Sequence, residues 1–83
     1  MKIGVYILKS KSKNWFYIGM SESPDERLKT HNAGKVRSTK AQSPYELAYL
    51  KYFKNRALAR DFEKFLKIRS NKEKLLRKLG YLQ

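Results

Sequence analysis

The sequence predicts an α+β domain whose elements run strand, strand, helix, strand, helix, helix. Three observations carry this. Two runs of apolar and aromatic residues, Ile3 to Leu8 and Trp15 to Met20, flank a polar turn that holds lysines, which is the pattern of a hairpin. Ser23-Pro24-Asp25-Glu26 has the chemistry of a helix start. A third strand-like run, Tyr45 to Phe53, leads into a segment with apolar residues at 3-4 spacing.

Each element has its own justification. Alternation along the first strand puts Ile3, Val5 and Ile7 on one face and Gly4, Tyr6 and Leu8 on the other. The second strand divides into Trp15, Tyr17, Gly19 and Phe16, Ile18, Met20. Both faces of this hairpin are largely apolar, so each is expected to be covered. In the first helix Ser23 is the expected N-cap, Pro24 fits the first turn, and Ser23-x-x-Glu26 forms a capping box. That helix runs through His31 and stops near Asn32 to Gly34. Gly34 to Ser43 is basic, polar and without period, a surface loop closed by Pro44. In the third strand Tyr45, Leu47, Tyr49 and Phe53 are expected on one face and Ala48, Leu50 and Tyr52 on the other. Asn55 caps a helix of roughly residues 56–68, with Leu58, Phe62, Phe65, Leu66 and Arg69 forming its stripe. Ser70 or Asn71 recaps a last helix, Lys72 to Leu79, with Leu75, Leu76 and Leu79 inward and Gly80 at its end.

Composition narrows the function. The 83 residues suit one domain, 1–83, with a modest core. There is no cysteine, so disulfides and thiolate metal sites are excluded. No apolar run approaches the roughly 20 residues of a membrane span, and Ile3 to Leu8 is too short for a signal peptide. The expected location is cytoplasmic. Twenty Lys+Arg against seven Asp+Glu leave a net charge of +13. Such a chain repels itself without a polyanion. Nucleic acid is the first candidate and an anionic membrane surface the second; a membrane partner is not expected.

Few residues can carry chemistry. Arg27 and His31 stand four apart and share a helix face. Two cations there suit a bound anion, or else a solvated polar face with a near-neutral histidine. Glu63 falls at the edge of an apolar stripe, beside Ala59 and Leu66. Its carboxylate needs a metal or an arginine, or it is a rim residue paired with Arg60 or Lys67. Tyr45, Tyr49 and Tyr81 suit a core with exposed hydroxyls. Tyr6 and Tyr17 differ, because each lies close to a glycine on a paired strand. There is no paired-carboxylate site, so a two-metal nuclease is not expected. A catalytic metal would be one hard, oxygen-bound ion such as Mg²⁺.

Gly4-Val5-Tyr6, Tyr17-Ile18-Gly19, Arg27, His31-Asn32-x-Gly34 and Glu63, in this order, resemble the motif set of the GIY-YIG endonuclease superfamily. The similarity covers roughly Lys2 to Lys67 and is closest to the small stand-alone bacterial members. The resemblance implies a three-stranded antiparallel sheet flanked by helices. It implies that Tyr6 takes a proton from the attacking water while Tyr17 positions water or phosphate. Arg27 would stabilise the phosphoryl oxygens and His31 would support proton transfer. Glu63 would hold one divalent ion, Mg²⁺ or Mn²⁺. Gly4 and Gly19 would keep the backbone close and the pocket open. Arg27, a metal-bound water and the basic pocket are expected to lower the Tyr6 pKa.

The leading expectation is therefore a metal-dependent endonuclease acting on DNA in preference to RNA, at branched, nicked or flapped structures, with DNA repair as a setting. Lys35, Arg37 and Lys40 in the loop, and Lys72, Lys74, Arg77 and Lys78 near the C-terminus, are the expected phosphate contacts. The alternative is a basic nucleic-acid-binding module without catalysis. A third reading is a protein partner docked on the C-terminal helix through its leucines.

Overall fold

A computed structural model describes residues 2–82. The elements are β1 (Ile3–Ser10), β2 (Phe16–Ser21), α1 (Pro24–Asn32), a 3-10 turn (Lys40–Gln42), β3 (Tyr45–Phe53), α2 (Arg56–Lys67) and α3 (Arg69–Lys78). The strands form one antiparallel sheet in the order β2-β1-β3. The α+β class and the order β-β-α-β-α-α are those the sequence predicts, with the 3-10 turn added.

β1 is the central strand, and its position explains its composition. It pairs on both sides, and every residue from Ile3 to Leu8 is buried. A strand covered on both faces reads as a continuous apolar run. On one face Ile3, Val5, Ile7 and Ile18 pack with Ala59, Leu66 and Leu76 of α2 and α3. On the other, Tyr6 and Leu8 pack with Tyr45, Tyr17, Leu50 and Leu28 of α1. The second face carries the candidate site.

Gly4 explains how α1 approaches. A Cβ there would stand 2.7 Å from Pro24 Cγ and 2.9 Å from Leu50 Cδ1. Glycine lets the first turn of α1 rest directly on the sheet. Its contact is thus with packing residues, where the sequence suggested that it keeps a pocket open.

Several local expectations need correction. Ser23 occupies the N-cap position, but its side chain makes no cap hydrogen bond, so the capping box does not form. Glu26 lies 3.6 Å from Lys29 instead. The pairing of β1 with β3 shifts between Ile7 and Leu8, where Ile7 faces Tyr49 and Leu8 faces Leu47. This bulge inserts one residue and reverses the alternation. Tyr45 therefore joins Tyr6 and Leu8, while Tyr49 and Phe53 pack on the opposite core. The stripe of α2 centres on Ala59, Phe62 and Leu66, so Leu58 and Phe65 face outward, 44% and 50% exposed. The chain turns at Ile68, whose ψ is 122°, and α3 begins at Arg69, earlier than expected. Arg69 thus lies outside the α2 stripe. Asn71 does not cap α3; its side chain donates to Phe65 O at 3.0 Å and closes the end of α2. Leu76 is buried and Leu75 partly so, but Leu79 is exposed at the helix end. Asn55 caps α2 as expected, accepting from Leu58 N–H at 2.9 Å.

Asn32 at the end of α1 holds the start of β3. Its Oδ1 accepts from Tyr45 N–H at 2.6 Å and its Nδ2 donates to Tyr45 O at 3.1 Å. The amide thereby acts as a one-residue strand on the outer side of β3. Removing it leaves two backbone groups beside a buried tyrosine without partners. Asn32→Ala is expected to lower stability by about 1–3 kcal/mol in urea denaturation followed by circular dichroism. A change within about 0.5 kcal/mol, the range of ordinary surface substitutions, would contradict this role.

Candidate active site

The site grows from the pairing of Tyr6 with Gly19 on neighbouring strands. A Cβ on Gly19 would fall 2.6 Å from the Tyr6 hydroxyl, 2.8 Å from Tyr6 Cζ and 3.1 Å from Tyr17 Cε2. No side chain fits there. Both tyrosine rings close over this glycine, with centroids 6.5 Å apart. The hairpin therefore presents two phenols on one face, as the alternation predicts.

Helix α1 adds the next groups. Leu28 packs on the Tyr6 cluster and His31, one turn on, is fully buried. The imidazole centroid stands 4.7 Å from the Tyr17 ring and 6.0 Å from the Tyr45 ring. Its Nδ1 lies 2.8 Å from Thr39 Oγ1. Thr39 Oγ1 donates to Val36 O at 3.3 Å, so it accepts from His31 Nδ1–H. The lone pair is then on Nε2, which is buried with no hydrogen-bond partner among the described residues. Such an atom is costly in a folded interior and suits an incoming polar group.

Thr39 was invisible in the sequence. It lies in the aperiodic loop, yet it is buried, its hydroxyl accepts a hydrogen bond from His31 Nδ1–H, and its carbonyl accepts one from the Tyr45 hydroxyl at 3.0 Å. Nothing in the local composition marks it. Asn32 did have a signal, its place next to His31 in the motif, but no role was legible for it there.

Arg27 lies on the same side of α1 and acts on both neighbours. The Tyr6 pKa lies above its ordinary value of 10.0 because burial disfavours the phenolate; hydrogen bonding from Arg27 opposes this without overcoming it. The expected lowering is thus reversed in the free protein: desolvation outweighs one guanidinium. The His31 pKa lies below 6.5, first through burial and then through the positive charge of Arg27. His31 is therefore neutral at pH 7.

Glu63 comes from the opposite layer, on α2. Its side chain is 19% exposed, and Lys67 Nζ approaches to 3.8 Å, one helical turn away. This is the rim pairing that the sequence left open. The Glu63 charge also reaches the Tyr6 phenol and contributes to raising its pKa. Tyr6, Tyr17, Arg27 and Glu63 thus act within one electrostatic neighbourhood. Among the described residues no three His, Asp or Glu side chains cluster as a metal cage. A lone, largely sequestered carboxylate still fits a hard ion that keeps water and substrate oxygens in its shell.

The basic residues divide between layers. Lys35, Arg37 and Lys40 are exposed on the loop that Thr39 ties to the site. Lys74, Arg77 and Lys78 are exposed and Lys72 half-exposed on α3, which packs on α2 behind the sheet. Arg77 also lies 4.0 Å from Glu73, which pairs with Arg69 at 2.7 Å. No helix among the described residues is long and apolar enough to cross a membrane.

The small antiparallel sheet thus carries a tyrosine on each of two strands, with an arginine and a histidine on one helix and a glutamate on the next. The GIY-YIG catalytic domain matches residues 2–76, and the chain belongs to the GIY-YIG family. The family implies action on nucleic acid, generally with a divalent metal. The chain is 39% identical over 74 residues to the UPF0213 protein SH2523 of Staphylococcus haemolyticus, covering 86% of this chain and 87% of that one. It is 35% identical over 72 residues to the UPF0213 protein YazA of Bacillus subtilis, covering 86% of this chain and 72% of that one. The solution NMR structure of the UPF0213 protein BH0048 from Bacillus halodurans superposes with a TM-score of 0.59 at 31% identity, over 96% of this chain and 87% of that chain.

The buried histidine makes a measurable prediction. The unfolded chain takes up the His31 proton near pH 6.5, but the folded chain resists it. Stability is full above that value and falls as pH drops through it toward the lowered folded value. His31 is the sole histidine. Its Cε1 proton, followed by NMR, is expected to titrate with a midpoint below 6.5. A midpoint at or above 6.5 would contradict the buried, Arg27-facing geometry.

Proposed function

We propose that this protein is a metal-dependent endonuclease that hydrolyses phosphodiester bonds in DNA, at branched, nicked or flapped structures. The observation that carries this is the Tyr6 phenol set over Gly19, under the combined influence of Arg27 and Glu63. The net charge of +13 supports binding to a phosphate backbone.

In this reading the scissile phosphate lies against the hydroxyls of Tyr6 and Tyr17. Arg27 donates to its non-bridging oxygens, for which a guanidinium fork is well suited. Tyr6, once ionised to the phenolate, takes a proton from the attacking water as the new P–O bond forms; the bond to the leaving oxygen breaks, and that oxygen takes a proton from solvent water. Tyr17 orients the water or the phosphate. Neutral His31, whose Nε2 lone pair is unused, supports proton transfer by accepting a hydrogen bond beside Tyr17. Glu63 would hold one divalent ion, Mg²⁺ or Mn²⁺, which when bound supplies positive charge to the leaving oxygen. Lys67 is displaced from its loose approach to Glu63 in that state. Lys35, Arg37 and Lys40 contact phosphates beside the site, with Lys72, Lys74, Arg77 and Lys78 contacting more distant backbone. Because the Tyr6 pKa is raised, fewer than about one phenol in a thousand is ionised at pH 7 in the free protein, so the rate rises toward alkaline pH.

The test uses labelled linear, nicked, flapped and branched DNA with Mg²⁺ or Mn²⁺. Wild-type protein is expected to cleave at least one of these. Glu63→Ala is expected to lose more than about 100-fold in rate, the scale of a lost electrostatic stabiliser, while binding DNA nearly as well. Equal cleavage by the two proteins would overturn the metal assignment. Salt-sensitive binding without cleavage of any substrate would support the non-catalytic module instead.

A further inference from the structure

The hairpin turn between β1 and β2 holds a large aromatic residue that the catalytic reading leaves unused. Trp15 is 42% exposed. Ser10 N–H donates to Trp15 O at 2.9 Å, which extends the β1–β2 pairing by one step. Trp15 therefore falls on the Tyr17 face of the hairpin. It also lies beside the Tyr45 hydroxyl, whose ionisation it influences. The site face thus carries Tyr6, Tyr17, His31, Tyr45 and Trp15 in succession, buried at the reaction end and open at the turn.

The turn itself is built rather than loose. The buried Ser10 hydroxyl donates to Gln42 O at 2.6 Å and accepts from Ser12 N–H and Lys13 N–H at 3.2 and 3.1 Å. Lys11 N–H donates to Pro44 O at 2.9 Å. These bonds join the turn to the loop that carries Lys40. Exposed Lys11 and Lys13 stand in the turn that leads to Trp15, and exposed Lys40, whose stem lies over Gly34, stands on the loop bonded to that turn.

We propose that Trp15 is a stacking platform for an unpaired base of single-stranded or flapped DNA. Lys11, Lys13 and Lys40 hold the neighbouring phosphates. An exposed ring on a basic turn is an arrangement that grips single strands without reading sequence. Trp15 lies four residues from Gly19 along β2, about 13 Å in an extended strand. About four stacked nucleotides span that distance at 3.4 Å each. The proposal rests on the endonuclease reading and narrows its substrate to DNA with an unpaired stretch next to the cut.

Trp15 is the sole tryptophan, so its fluorescence reports directly. The protein would be titrated, in chelator, with a single-stranded oligothymidylate of about 15 nucleotides and with a blunt duplex of equal length. Saturable quenching by the single strand is expected. Trp15→Ala is expected to weaken single-strand binding by about five- to a hundredfold, the worth of one stacked base, and duplex binding by less than about twofold. Trp15→Phe keeps a ring and is expected to fall between the two. Circular dichroism of both variants checks the fold. Wild-type binding without quenching, or equal single-strand affinity in Trp15→Ala, would overturn the platform and leave the endonuclease reading standing. A wild-type protein that binds neither DNA would overturn both.

Discussion

The Tyr6 ring can lie across β2 because residue 19 has no side chain. A single methyl group there would meet the phenol at 2.6 Å. Strand pairing then fixes the rest by register. Tyr17, two residues back on β2, shares the face and packs on the same glycine. Above these rings α1 brings down Leu28 and His31, and it can come this close because Gly4 admits Pro24. The absence of two side chains thus sets both the floor of the site and the distance of its roof. Tyr45 is drawn into the same cluster by the bulge in the β1–β3 pairing, and Thr39 locks the loop between His31 and Tyr45.

Burial and the Arg27 charge oppose each other at Tyr6, where burial prevails, and act in the same direction at His31. Burial keeps the Tyr6 phenol protonated although Arg27 lies beside it, and it keeps His31 neutral. The proposed chemistry fits that balance. In that proposal the buried Tyr6 phenol gains acidity only when further positive charge arrives, and the Glu63 carboxylate is the group suited to bring a cation there. Until then Lys67, 3.8 Å away and largely exposed, supplies only a weak, screened attraction. The resting site is thus arranged but not activated.

The topology was readable in the sequence, and so was the placement of Tyr6 and Tyr17 on one face of the hairpin. The apolar run of β1, the proline at the start of α1 and the asparagine cap of α2 each act locally, so a local pattern reveals them. Glu63 at the edge of the α2 stripe followed from helical geometry. What escaped depended on non-local packing. The bulge that turns Tyr45 toward Tyr6 depends on how two distant strands align, and alternation within β3 alone points the wrong way. Thr39 is buried because α1 and β3 enclose its loop, whose polar composition suggests solvent. The true stripe of α2 runs through small Ala59, and the larger Leu58 and Phe65 drew the reading off by one residue. The direction of the Tyr6 shift escaped as well, because sequence displays Arg27 but not the depth of burial.

The central claim is that Glu63 and Tyr6, from opposite layers of the sheet, serve one cation-dependent site. Paramagnetic broadening by substoichiometric Mn²⁺ in the NMR spectrum of the labelled protein tests this without requiring turnover. The account predicts broadening centred on Glu63 that extends to Tyr6, Gly19 and Arg27 and disappears in Glu63→Gln. Broadening centred on the exposed acidic residues of α1, Asp25 and Glu26, or unchanged by that substitution, would contradict it.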